Sequence, residues 1–153
     1  MTTIDETSWN ETGAVDHRGL RVLGFEECLR RVTAAPMGRL AFHDAGEVLV
    51  LPVNHVTDGL TVAFRTTWGS KLAAAVGRKP VAFEVDGYDA ATRAGWSVLV
   101  KGTADIADDE QVCARLEELL GIPWTGPAED SFWVRVRADE VTGRELLPAV
   151  AAS

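Results

Sequence analysis

The chain alternates between two hydrophobic periods, and most of it keeps the shorter one. Leu40 and Phe42 alternate with Arg39, Ala41 and His43, and Asp44-Ala45-Gly46-Glu47 supplies a turn. Val48 to Val53 is a nearly continuous apolar run, the pattern of a strand buried on both faces, with Pro52 marking its end or a bulge. Asp58-Gly59 is a strong hairpin signal leading into Leu60, Val62 and Phe64. Val81, Phe83 and Val85 predict another strand, followed by a loop over 87–94. The next strand runs over 95–101 and is broken by Gly102. Phe132, Val134 and Val136 predict the last strand, reaching as far as Val141.

Helical spacing is rarer. Phe25, Cys28, Leu29 and Val32 fall at i, i+3, i+4 and i+7, which predicts a helix over 24–32 ended by Pro36. Lys71 to Val76 predicts a short helix closed by Gly77. Val112, Leu116 and Leu119 place a stripe on a helix over 109–120, stopped by Gly121 and Pro123. Strands joined mostly as hairpins, with two to three helices between them, predict a mainly β (α+β) domain: an antiparallel barrel of about six strands. Too few helices separate the strands for a parallel doubly wound sheet. Residues 1–20 are polar and acidic and are expected to be a flexible arm. Residues 21–147 make the domain, and 148–153 a frayed tail.

The formal net charge of −8 on 153 residues argues against nucleic acid as the main partner. No apolar run approaches the ~20 residues of a membrane helix, and the first residues lack the order of a signal peptide, so the expected compartment is the cytoplasm. Cys28 and Cys113 sit in helix patterns as small core residues. His17, His43 and His55 have no metal-ligand spacing, so no metal is expected. Nucleophile elbows and His-Glu-x-x-His motifs are missing from the sequence, and the residues name no catalytic acid or base.

One stretch does carry binding chemistry. From Phe64 to Leu72 the chain turns from strand to helix through Arg65, Thr66, Thr67, Ser70 and Lys71. Free N–H groups at a helix N-terminus, two cations and three hydroxyls suit a phosphate. An ordinary turn with Ser70 as N-cap accounts for the same residues. An anion site without catalytic side chains suggests a phosphorylated cofactor that carries the chemistry itself.

Five blocks in order carry a family resemblance. They are Gly38-Arg39-Leu40-Ala41, Pro52-Val53-Asn54, Phe64-Arg65-Thr66 with Gly69-Ser70-Lys71-Leu72, Val81 to Asp86, and Gly95 to Gly102 with its Trp96-Ser97 pair. Together with Val141-Thr142-Gly143-Arg144, the sequence resembles the pyridoxamine 5′-phosphate oxidase-like, FMN-binding split-barrel family, most nearly its small bacterial members. The resemblance implies a six-stranded split barrel forming a homodimer, with FMN at the subunit interface and a small-molecule substrate. By similarity, Arg65, Thr66, Thr67, Ser70 and Lys71 hold the phosphate and ribityl end. Pro52, Val53 and Asn54 line the ring, and Trp96 and Ser97 approach from the partner subunit. The basic and histidine residues that grip pyridoxal phosphate are not found in that order near the last strand; Arg135, Arg137 and Arg144 stand there instead. An FMN-dependent oxidoreductase is therefore expected, with a flavin or haem carrier and a deazaflavin-dependent reductase as alternatives. A deazaflavin coenzyme, with its acidic tail, would call on Arg78 and Lys79.

Overall fold

The computed structural model describes residues 14–67, 77, 79–122 and 131–148. Its strands are β1 (Arg21–Leu23), β2 (Gly38–Asp44), β3 (Glu47–Val53), β4 (His55–Asp58), β5 (Thr61–Thr66), β6 (Pro80–Asp89), β7 (Ala94–Ala107) and β8 (Phe132–Leu146); its helices are α1 (Phe25–Ala34) and α2 (Glu110–Leu120). All the strand pairings are antiparallel, in the order β3-β2-β6-β7-β8-β5-β4, with β1 added to β8. The expected mainly antiparallel β architecture is present. Among the described residues the expected six strands are eight, and the sheet is an open path whose end strands, β3 and β4, are not paired to each other there. The helix expected over 71–76 lies outside the described residues, as do the first 13 residues of the arm.

Two corrections share one cause. The segment 87–94 is not a loop: β6 continues to Asp89 and only 90–93 turn. Gly102 does not end β7; the ladder to β8 slips there by one residue and continues to Ala107. A side chain at Gly102 would strike the Arg137 carbonyl across the ladder, so glycine is what lets the two strands stay paired through the bulge. Both glycines were read as punctuation when they serve close approach.

Alternation then builds the core. Leu40, Phe64, Phe83, Val85, Val98, Val100, Val134 and Val136 are fully buried on one face of the curled sheet, and α1 contributes Cys28 and Val32 to them. A second cluster lies on the other side of β4, β5 and the start of β8, where α2 packs Leu116 against Val56, Ala63, Ala107 and Trp133. Asp109 caps α2 by accepting hydrogen bonds from the Gln111 and Val112 amides, and Gly121 ends it in the left-handed region at φ 67°.

The outward face of β3 departs from expectation. Leu49, Leu51 and Val53 pack against the core, whereas Val48 is 65% and Val50 56% exposed. The run is apolar on both faces, yet among the described residues only one of them is covered. β3 is an edge strand, and among the described residues no helix lies over its outer side.

Candidate functional site

Arg65 stands near the end of β5, opposite Trp133 of β8. Its Nε and Nη2 donate to Ser131 Oγ at 3.0 and 2.8 Å, and Nη1 pairs with Glu117 of α2. Glu117 also accepts the Trp133 indole N–H at 3.1 Å. The guanidinium is therefore oriented by α2 and β8 on the side of the second core cluster, and an anion gripped by Arg65 has to share it with Glu117. Thr66 follows on the opposite face of the same strand, and Thr67 is exposed at the end of the described segment. Ser70 and Lys71 lie outside the described residues.

Pro52 and Asn54 are exposed and Val53 is half-buried. Alternation directs Val53 inward, while Pro52 shares the outer face with Arg39, its partner on β2. Asn54 opens a groove of about 400 Å³ between the C-terminal ends of α1 and α2, beside His55. His55 is buried at 6% exposure; its Nε2–H donates to the Val32 carbonyl at 2.7 Å and its ring meets Phe83 edge-on at 4.9 Å. Burial holds its pKa below the usual imidazole value. The sequence, placing His55 after a strand, suits a surface or hydrogen-bonded residue; the hydrogen bond is present, and the burial is what the sequence did not show.

Trp96 and Ser97 also divide between faces. Trp96 is half-buried against the main core, opposite Gly87 and Glu145. A side chain at Gly87 would collide with the indole. The Arg31 guanidinium lies over the ring, 4.9 Å from its centre. Arg31 is held in turn by Glu27 at 2.9 Å and Glu145 at 3.6 Å, and Arg21 also pairs with Glu145. Ser97 is exposed on the outer face between Asp86 and Arg144. Trp96 and Ser97 both line a groove of about 380 Å³ with Tyr88, Gly95, Arg144 and Leu20.

The chain N-terminal to β1 closes one wall of that groove. Asp16 Oδ1 accepts the Arg18 and Leu20 amides at 2.8 and 3.0 Å, and Oδ2 accepts Arg144 Nε at 3.1 Å. These hydrogen bonds, led by the Leu20 amide, hold the Asp16 carboxyl below the usual carboxylate range. Residues 14–20 of the expected arm are thus seated on the body.

The structure brings Pro52 and Ser97 onto one face and sets Arg65 and Trp96 against opposite ends of β8. Arg65 pairs with Trp133 and Trp96 with Glu145, near the two ends of β8. The strand between them is on the order of 40 Å long. The outer face between Pro52 and Ser97 carries Arg39, whose Nη1 donates to Glu84 at 3.1 Å and Asp86 at 2.9 Å. Burial, with Asp86 beside it, pushes the Glu84 carboxyl up to about 7 despite the opposing guanidinium. Among the described residues no helix is long and apolar enough to cross a membrane.

Comparison with known proteins adds relatives of the same size. The sequence model of the pyridoxamine 5′-phosphate oxidase family matches residues 25–145. An uncharacterised protein of Mycobacterium tuberculosis is 38% identical over 129 residues, 80% of this chain and 82% of its own. Among solved structures, the FAD-binding protein from Mycobacterium smegmatis is 34% identical with a TM-score of 0.73, over 84% of this chain and 99% of that one. A conserved protein of unknown function from Corynebacterium diphtheriae is 30% identical with a TM-score of 0.71, over 84% and 98%.

Proposed function

The chain belongs to the pyridoxamine 5′-phosphate oxidase family, and from that premise we propose that it binds a flavin between two copies of itself and works as a cytoplasmic, FMN-dependent oxidoreductase on a small organic acceptor. The observation that carries the shared-site reading is the separation of Arg65 from Trp96 along β8. A contour on the order of 40 Å along β8 is longer than a flavin mononucleotide, which favours drawing the two residues from different subunits.

The residues present suit such a group. Arg65 offers a planar fork, Thr66 and Thr67 offer hydroxyls, and Ser70 and Lys71 would complete the phosphate end. Pro52, Val53 and Asn54 would line the ring from one subunit. The partner would add the Trp96–Ser97 strand, its indole kept in place by Arg31 and by the close approach of Gly87. Bound flavin supplies the hydride and electron transfer. The protein's part is to bind and orient it.

The 34%-identical M. smegmatis protein binds FAD, which makes FAD the second reading of the cofactor. The absorbance spectrum and mass of the small molecule released from purified protein separate the cases. A yellow protein releasing FMN supports the first reading and release of FAD the second. Release of haem or a deazaflavin, or no flavin bound on reconstitution, overturns the proposal. Turnover with a reduced nicotinamide and an acceptor distinguishes an enzyme from a carrier.

A further inference from the structure

The groove of about 400 Å³ between the ends of α1 and α2 has no charged side chain among the described residues that line it. Its walls are the end of α1, with Thr33 and Ala34, the β4 segment from Asn54 to Thr57, and the end of α2, with Leu119, Leu120 and then Ile122. One residue in four of this chain is charged, so an uncharged groove of this size stands out from the rest of the surface. Charged side chains of the same elements lie outside the wall. Asp58 pairs with Arg115 at 2.9 Å, Glu117 with Arg65, and Arg30 with Glu27, while Glu118 is exposed.

The wall is nonetheless electronegative. Both helices end at it, and the last carbonyls of a helix lack partners within it and carry about half an elementary negative charge. In α1 the Arg31 carbonyl accepts the Ala35 amide at 3.0 Å, and Val32 accepts His55 Nε2–H at 2.7 Å. In α2 the Glu117 carbonyl accepts the Gly121 amide at 3.1 Å. The carbonyls of Thr33, Ala34, Leu119 and Leu120 come after these, at the groove. A basic side chain often offsets a helix C-terminus. The last turn of α2 has none, and Arg31 of α1 is engaged by Glu27, Glu145 and the Trp96 ring. His55 adds another acceptor. With Nε2–H committed to Val32, Nδ1 presents a lone pair, and among the described residues this buried nitrogen has no hydrogen-bond partner. A buried acceptor left unpaired favours a ligand that brings a donor.

We propose that this groove binds a small apolar amine in its ammonium form. The head group sits between the two carbonyl ends, and the body packs against Pro36, Val56, Leu119 and Ile122. A primary alkyl amine is protonated at neutral pH, and its three N–H groups match carbonyl and imidazole acceptors. A carboxylate or phosphate meets the same dipoles with the wrong sign. The net charge of −8 adds to the preference for a cation. The site shares only Asn54 with the flavin reading and does not depend on it.

The test is equilibrium dialysis of the full chain at neutral pH, with its flavin content read separately by absorbance. Three probes share one ring and differ in head group: phenethylammonium, phenethyl alcohol and phenylacetate. The ammonium is expected to bind at least about tenfold tighter than the alcohol, and phenylacetate more weakly than either. Leu119→Lys sets a competing cation at the groove and should weaken ammonium binding at least about tenfold, with an unchanged circular dichroism spectrum. Ile122→Lys should do the same, so the result does not hang on one position. Leu60→Lys, at a similarly exposed leucine outside the groove, should bind the ammonium as the parent does. Phenylacetate binding as tightly as the ammonium, or no binding of any probe, overturns the proposal. Parental binding by folded Leu119→Lys and Ile122→Lys overturns it too. An equal loss in Leu60→Lys overturns the location. Flavin content reports on the cofactor reading alone, whichever way the probes bind.

Discussion

At the residue scale, neighbours in sequence do not share a job when they lie on a strand. Arg65 and Thr66 project to opposite faces of β5, as Trp96 and Ser97 do on β7, so the two members of each pair meet different neighbours. His55 shows the reverse case, a single residue whose environment assigns its state. Buried, with Nε2–H donating to Val32, it is held neutral in the folded protein. Its pKa is depressed on folding, so its contribution to stability is present above the unfolded value of ~6.5 and is lost as pH falls below it. Thermal melts should therefore show the parent losing more stability than His55→Phe between pH 7 and pH 5. Equal losses in the two proteins would mean that the imidazole is not held neutral.

At the scale of elements, periodicity and punctuation carry different amounts of information. The two described helices, the β2–β3 hairpin and β5 after its Asp58-Gly59 turn lie where their spacing predicts, within about two residues at each end, whereas β1 and β4 had no predicted counterpart. Glycine was the misleading sign. Gly87 and Gly102 read as breaks, yet one clears space for the Trp96 indole and the other for the Arg137 carbonyl, and both strands run on. The signal is ambiguous because a missing side chain serves a turn and a close approach equally well. Caps are more reliable, since their chemistry is local. Asp109 satisfies two amides at the start of α2, and α2 carries the Glu117 that orients Arg65. Asp109→Ala is expected to cost about 1 kcal/mol in chemical denaturation. A loss indistinguishable from zero would show that α2 is held by packing of Leu116 alone.

At the scale of the whole molecule, the sheet sets how much of the site one chain can supply. Arg65 and Trp96 belong to opposite ends of β8, and the proposed flavin site joins them only across two subunits. That reading predicts complementation. A chain with Arg65→Ala and Lys71→Ala and a chain with Trp96→Leu should each bind flavin weakly alone. Co-refolded in equal amounts, they should recover about one quarter of the parental flavin sites, because half the dimers are mixed and each mixed dimer has one intact site of two. No recovery by absorbance titration, with each variant folded, would place Arg65 and Trp96 outside a common site. Full binding by either variant alone would remove that residue from the site.

Local chemistry was enough to specify the β-rich class, the positions of the hairpins, the capped helix and a cation- and hydroxyl-rich segment after Phe64, since each depends on residues a few positions apart. The family resemblance was likewise written in short blocks of sequence. Tertiary structure decided what lies far apart along the chain. It committed Arg65 to Glu117 and Ser131, seated Asp16 on Arg144, and set Arg31 over Trp96. It also decided which side of Val48 to Val53 is covered. An apolar run reports that two faces avoid water, but not whose atoms cover them, and here this chain's core covers one face and leaves Val48 and Val50 bare.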